Sequence, residues 1–308
     1  MTKPIERLAA GEARLRHIIL ISGKDSLATA LVQRRREPSL RYEYVFNEVG
    51  WELPETFVWL NQVEAYLGEK LYHCGDDLDA IVDEENCLPL PQRRFCTRRA
   101  KIKPLRDYLG KDKATIYFGL RSDETDRAGY VVSDDDPHQP AYPLREAGLT
   151  LPDVWRLCES VNLLPPAFHW PWMEQAVRRM LCGDDSLLDS LEPWHKAALL
   201  AWRTRNNCSL CFFKRLYEWI GLHEFHPSIF AYACRTEAKY AHRDEHGWLR
   251  PGKRLPGLIP RADIIKRRRA KAIVKFLKTK QVRYLFDDGE DGEPDLLSVT
   301  SCGLFCGK

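Results

Sequence analysis

Apolar and polar positions follow two different patterns along this chain, and the change falls near residue 165. Before it, short apolar runs alternate with amphipathic stretches. Residues 17–21 (His-Ile-Ile-Leu-Ile) read as a buried strand, and 26–36 as the helix that follows. Residues 42–46 predict a second strand, and 55–67, opened by Pro54, a second helix. A third strand is expected at 70–73, a helix at 97–109, and a fourth strand at 115–120, bounded by Gly119. This alternation argues for an α/β fold, a mostly parallel sheet with helices on both faces.

From 166 to about 285 the pattern turns helical and rich in tryptophan. Trp170, Trp172, Trp194, Trp202 and Trp219 read as packing anchors rather than as a base-stacking platform. Helices are expected at 194–204 and 262–280, and the acidic, glycine-containing stretch 287–295 reads as a linker to a short tail, 296–308. The expected organisation is an α/β domain over 1–165 and a helical, cysteine-bearing region over 166–308. No internal repeat is visible.

The chain has 308 residues, 44% hydrophobic and 30% charged, enough to bury a substantial core. Its formal net charge of +3 permits an acidic ligand without announcing a nucleic-acid binder. No stretch near the start combines a basic region, an apolar run and a small-residue cleavage site, and the apolar run 18–21 is too short for a bilayer. A reducing, cytoplasmic setting without a membrane partner is therefore expected. Ten cysteines in that setting read as metal ligands, redox thiols or small buried hydrophobes. The last reading is the expectation for Cys74, Cys158 and Cys182.

Candidate chemistry begins at Ile21-Ser22-Gly23-Lys24-Asp25-Ser26, between a strand and a helix. Unpaired amides and the dipole at a helix N-terminus form an anion site. Gly23 lets a phosphate approach the backbone, Ser22 and Ser26 add hydroxyl donors, and Lys24 supplies charge. Asp25 would hold magnesium or fix the loop. The Walker spacing is absent. The segment resembles the PP-loop, Ser-Gly-Gly-Lys-Asp-Ser, of ATP pyrophosphatases, with Ile21 and Ser22 in place of its first serine and first glycine.

Further stretches resemble the PAPS-reductase-like branch of that group in family order. Asn47-Glu48-Val49-Gly50-Trp51-Glu52-Leu53-Pro54-Glu55-Thr56 is similar to its Asp-Thr-Gly-x-x-x-Pro-Glu-Thr stretch. The segment from Arg93 to Leu105 is similar to its Cys-Thr-x-x-x-Lys-x-x-Pro feature, and six cations in it would suit a polyanion. Gly119-Leu120-Arg121-Ser122-Asp123-Glu124-Thr125-Asp126-Arg127 is similar to Gly-Ile-Arg-x-Asp-Glu-Ser-x-x-Arg. Arg121 and Arg127 are its phosphate or sulfate candidates, and Asp123 a polar anchor or metal ligand. Arg121 is expected to be exposed in the crevice, serving ligand charge rather than packing. Tyr142-Pro143-Leu144 with Pro152-Asp153-Val154-Trp155 matches a closing feature read as architectural.

The cysteines leave two readings open. Cys208-Ser209-Leu210-Cys211 and Cys302-Gly303-Leu304-Phe305-Cys306 are two chelating pairs, and together they would make a four-cysteine site for zinc or an iron–sulfur cluster. Residues 206–213 resemble a cysteine pair of stand-alone PAPS-reductase-like proteins of phages and mobile elements, and related PP-loop enzymes carry iron–sulfur clusters, so the resemblance implies a [4Fe-4S] cluster as one option. Alternatively, Ser301-Cys302-Gly303-Leu304-Phe305 echoes the Glu-Cys-Gly-Leu-His tail of sulfonucleotide reductases, whose cysteine attacks sulfur. The basic stretch 266–280 is either a solvated helix face or a contact for nucleic acid or a ribonucleoprotein.

The resemblance implies an adenine nucleotide α-hydrolase-like sheet that binds ATP and Mg2+ and cleaves ATP between the α and β phosphates. In that reading Lys24, Asp25 and Arg121 serve catalysis, and Ser22, Gly23, Ser26, Gly119, Asp123 and Arg127 complete the nucleotide site. The alternatives are a thiol-dependent PAPS/APS-type reductase using Cys302, and a nucleotide-binding accessory of a CRISPR or phage-defence assembly.

Overall fold

The computed structural model describes residues 15–129, 132–204, 206, 208–240, 247–249 and 253–281. Its centre is a five-stranded sheet of order β3-β2-β1-β4-β5, with every pairing parallel. The strands are β1 (Arg16–Leu20), β2 (Tyr42–Asn47), β3 (Tyr72–Cys74), β4 (Ala114–Tyr117) and β5 (His138–Ala141). Successive side chains of β1 go to opposite faces. Ile19, with Ile21 beyond the strand, packs with Leu27, Leu31, Trp59 and Val63, whereas Ile18 and Leu20 pack with Leu105, Leu109 and Ile116. Both faces are thus apolar, which is why the strand reads as an unbroken hydrophobic run.

The first face is covered by α1 (Lys24–Arg36), α2 (Pro54–Leu67) and, after the short helix α3 (Leu78–Glu85), the second face by α4 (Lys103–Leu109). Helix α5 (Leu151–Ser160) returns to the first face, where Val154 and Cys158 join its core. The expected α/β class, with helices on both faces and a helical C-terminal region, is the observed one.

Three expectations are corrected. Strand β5 is absent from the sequence reading because His138-Gln139-Pro140-Ala141 has no apolar run and contains a proline. It is the outermost strand, where a missing N–H is tolerated. The helix expected at 97–109 starts at Phe95 and contains a π turn, Arg98–Ile102, before α4. Pro104 has no N–H to return to Ala100, and the Ala100 carbonyl instead accepts from Asp76 N at 3.1 Å. Cys182 is exposed, at the left-handed end of a helix (φ 54°), rather than buried like Cys74 and Cys158.

The later helices are α6 (Glu174–Leu181), α7 (Pro193–Leu200), α8 (Leu216–Phe225), α9 (Pro227–Tyr240) and α10 (Ala262–Thr279). Val177, Leu181, Leu199, Leu200, Ile273 and Phe276 of α6, α7 and α10 form a cluster of their own, and other residues of this region pack onto the α/β part. Trp202, Leu210, Tyr217, Trp219 and Trp248 pack with Val49, Trp51, Leu53 and Phe95 from the loops at the carboxyl ends of the strands. Trp202 and Trp219 are fully buried, as packing anchors should be. Among the described residues, no helix is long and apolar enough to cross a membrane.

Candidate nucleotide site

The chain leaves β1 toward β2 on one side and pairs with β4 on the other, so the carboxyl ends of β1 and β4 meet where the strand order reverses. Open parallel sheets place ligands outside such a point. Both segments singled out in the sequence lie there: 21–26 follows β1 and 119–127 follows β4.

The loop after β1 is closed by Ser26. Its hydroxyl accepts from Ser22 N (2.8 Å) and Gly23 N (3.0 Å) and donates to Gly23 O (2.8 Å). The amides of Lys24, Asp25 and Ser26 open α1 and have no intrahelical acceptor, so they and the helix dipole present positive potential. Gly23 is extended, with φ −179°, and a Cβ there would approach nothing closer than Asn206 Cβ at 3.7 Å. The fold does not demand glycine here. Gly119 differs: a Cβ would stand 2.7 Å from the Asp25 carbonyl carbon and 2.9 Å from Ser26 N. Only a residue without a side chain lets the β4 exit press against the start of α1.

That close approach brings charges together. Asp25 Oδ2 lies 2.6 Å from Lys24 Nζ, and Asp25 Oδ1 lies 2.7 Å from an Arg121 Nη. Arg121 Nε donates to Asp123 (2.8 Å), while Glu124, fully buried, accepts from Arg127 (2.8 Å) and from the Arg121 amide (3.0 Å). Arg121 is 6% exposed in its side chain, so the expectation of an exposed crevice arginine is corrected. It is the hub of a buried ion network: it meets Asp25 of α1 and Asp123 and Glu124 of its own loop, and Arg127 pairs with the same Glu124.

Burial pushes the Asp25 carboxyl up, but Lys24 and Arg121 outweigh it and hold the group at about 2. Burial lowers the Arg121 pKa, and Asp25 and Glu124 more than reverse this, so it stays cationic. A folded value below the ordinary 3.8 means that Asp25 contributes stability above pH 4, lost as pH falls through about 2. Thermal unfolding between pH 4 and pH 2 is therefore expected to fall more steeply in the parent than in Asp25→Asn. Parallel profiles would show that this carboxylate is not held by its two cations.

The helical region supplies the opposite wall, which the sequence reading did not identify. Asn206 Nδ2 donates to Ser22 O (2.9 Å), and its Oδ1 accepts from Thr56 Oγ1 (3.4 Å) and Arg203 (3.2 Å). One amide thus ties the loop after β1 to the start of α2 and to the segment after α7. Arg203 is fully buried, 3.5 Å from Glu55 and 5.1 Å from the Trp202 ring centre. Burial lowers its pKa to about 10 despite Glu55 and Glu218, and its Nε and Nη1 have no partner among the described residues. His226 Nε2 lies 3.2 Å from the same Glu55 carboxylate. The available signal was the polar run Arg203-Thr204-Arg205-Asn206-Asn207 between apolar anchors, read only as flanking a cysteine pair.

The basic segment 93–105 is mostly committed elsewhere. Arg99 pairs with Glu84 and with Glu85 (2.7 Å), Lys103 pairs with Asp107 (2.8 Å), and Arg94 lies over Phe213 (5.6 Å). Lys101 turns its ammonium to Cys208 Sγ at 3.5 Å. The Cys208–Cys211 turn docks on the loop after β2 through Ser209 N to Trp51 O (2.6 Å). Cys302 and Cys306 lie outside the described residues, as do the linker 287–295 and the tail. Among the described residues, no group of three or more His, Cys, Asp or Glu side chains is placed to hold a metal.

Magnesium ligation by Asp25 does not fit this arrangement, because cations occupy both of its oxygens. What Asp25 does in the structure is bridge Lys24 and Arg121. Asp123 is more open, 37% exposed in its side chain, with one oxygen on Arg121 and the other 3.4 Å from Leu151 N.

No family model and no curated protein matches the chain. Among solved structures it is similar to phosphoadenylyl-sulfate (PAPS) reductase from Candida auris in its phosphate complex. That match has 10% identity and a TM-score of 0.36, over 48% of this chain and 73% of the other.

Proposed function

We propose that the chain binds ATP in the crevice between the β1 and β4 exits and cleaves it between the α and β phosphates. The observation that supports this reading best is the bridging of Lys24 and Arg121 by Asp25 at the start of α1. It fixes the Lys24 ammonium on the first turn of α1, the helix whose opening amides have no intrahelical acceptor, and cation and dipole there both favour an anion. An acceptor oxygen attacks the α phosphorus, the bond from that phosphorus to the bridging oxygen breaks, and its electron pair leaves with pyrophosphate. Charge grows on that leaving group, and Lys24 and the amides of α1 oppose it without reorganising. Such catalysis is electrostatic, and a water acceptor gives AMP and pyrophosphate.

The sulfonucleotide-reductase reading rests on Cys302, outside the described residues, and nothing described favours it. Product analysis after incubation with ATP and magnesium chloride tests the proposal. AMP with pyrophosphate is expected. ADP with phosphate would overturn the bond assignment, and tight binding without turnover would leave a nucleotide-binding accessory.

A further inference from the structure

We propose that His226, held by the Glu55 carboxylate, is the general base that takes the proton from the acceptor oxygen attacking the α phosphorus. The inference rests on the proposed ATP cleavage and deepens it by naming a proton acceptor. The loop after β1 offers none: Lys24 is a cation, and both oxygens of Asp25 face cations.

His226 is the single residue between α8 and α9, which Pro227 opens. A residue before proline is pushed out of the helical region, and His226 has φ −136° and ψ 63°. Its ring centre lies 6.1 Å from that of Trp170 and 5.9 Å from that of Trp202, and its Nε2 lies 3.2 Å from Glu55 Oε1. Glu55 stands in the first turn of α2. Its neighbour Thr56 meets Asn206, which in turn meets Ser22 O. The pair therefore borders the loop after β1 on the side of β2.

Three buried donors of this cluster, Arg203 Nε, Arg203 Nη1 and His226 Nε2, have no aligned hydrogen bond among the described residues. A cluster present only for packing is expected to satisfy its polar atoms. Catalytic hydrogen bonds commonly tighten only in the substrate complex, and the unaligned 3.2 Å approach of His226 to Glu55 has that character. A carboxylate beside Nε2 favours the tautomer with its proton there, which leaves the lone pair on Nδ1. That nitrogen is not enclosed, and no described residue bonds to it.

Burial pushes the Glu55 carboxyl up, but His226 and Arg203 more than reverse this, so it stays ionised. Other titratable groups around the ring are engaged. Glu218 accepts from Thr204 N (2.7 Å) and Arg215 N (2.8 Å), and Lys214 stands 5.5 Å over the Trp202 ring. His223 faces Phe230 (4.9 Å), and Glu224 pairs with Lys266 (3.0 Å). Among the described residues, Glu55 is thus the charge that meets the imidazole. In the step, the acceptor O–H bond breaks and its proton passes to Nδ1. The freed pair forms the bond to the α phosphorus, pyrophosphate leaves with the pair of the breaking bond, and the imidazolium returns its proton to solvent.

Pyrophosphate release from ATP and magnesium chloride, followed from about pH 5 to 9, tests the proposal in the parent, His226→Gln and Glu55→Gln. The parent rate is expected to climb with pH over the interval in which histidines titrate. His226→Gln is expected to lose that climb and about a hundredfold in kcat, with KM for ATP and melting temperature little changed. Glu55→Gln withdraws the charge that favours an imidazolium, so its climb should move to lower pH. Imidazole added to His226→Ala should restore part of the rate, which a packing role would not allow. ADP and phosphate from the parent would overturn the cleavage reading and this proposal with it. AMP and pyrophosphate from the parent, with a parental rate or a retained climb in His226→Gln, would overturn the base alone. So would a climb that Glu55→Gln leaves in place.

Discussion

Lys24→Ala is expected to cut ATP-dependent pyrophosphate release by roughly ten- to a hundredfold. One hydrogen bond to a charged group contributes about 1.5–3 kcal/mol, and in this site Lys24 is the cation carried by the first turn of α1. The loss should appear in kcat/KM, measured as pyrophosphate formed at subsaturating ATP. Stability should fall too, because Lys24 is the larger of the two cationic influences on the buried Asp25 carboxylate, but Arg121 at 2.7 Å retains part of the compensation. Lys24→Arg preserves the charge and should recover part of the rate. A variant with parental kinetics would remove the phosphate loop from the mechanism.

Arg121→Ala is expected to act first on the fold. Its guanidinium touches Asp25, Asp123 and the fully buried Glu124, and removing it leaves buried carboxylates short of a cation. Breaking a buried ion pair by deleting one partner costs about 3–5 kcal/mol, which urea denaturation resolves easily. Adding Asp25→Asn should restore part of the loss, since the two groups interact directly. A stability change below about 0.5 kcal/mol, the range of ordinary surface substitutions, would contradict the network. Activity lost without stability lost would return Arg121 to the ligand-facing role its sequence context suggests.

The elements that were legible share a property. In β1, α1, β2, α2 and α10 the burial pattern is set by the chain's own periodicity, and local apolar spacing identifies them. The misses have the opposite character. Strand β5 exists because β4 offers an edge to His138–Ala141, not because those four residues prefer to be extended. The helix expected to run to Thr204 stops at Leu200, whose carbonyl accepts from Met173 N (3.0 Å), and the chain then turns to bury Trp202 and Arg203. Packing overrode helix propensity there.

The site divides the same way. The segments 21–26 and 119–127 were recognisable because strand, turn and helix grammar and residue type coincide within a few positions. Sequence alone determined the α/β class, the strand–turn–helix placement of 21–26 and the basic composition of α10. Tertiary structure alone decided which charges remain available. It set Arg121 against Asp25 and Arg127 against Glu124, folded Ser26 back over the loop amides, and brought Asn206 across 184 positions to Ser22. The reason is physical: a charge or amide acts over a few ångströms, and which partner comes that close depends on packing that no local pattern encodes.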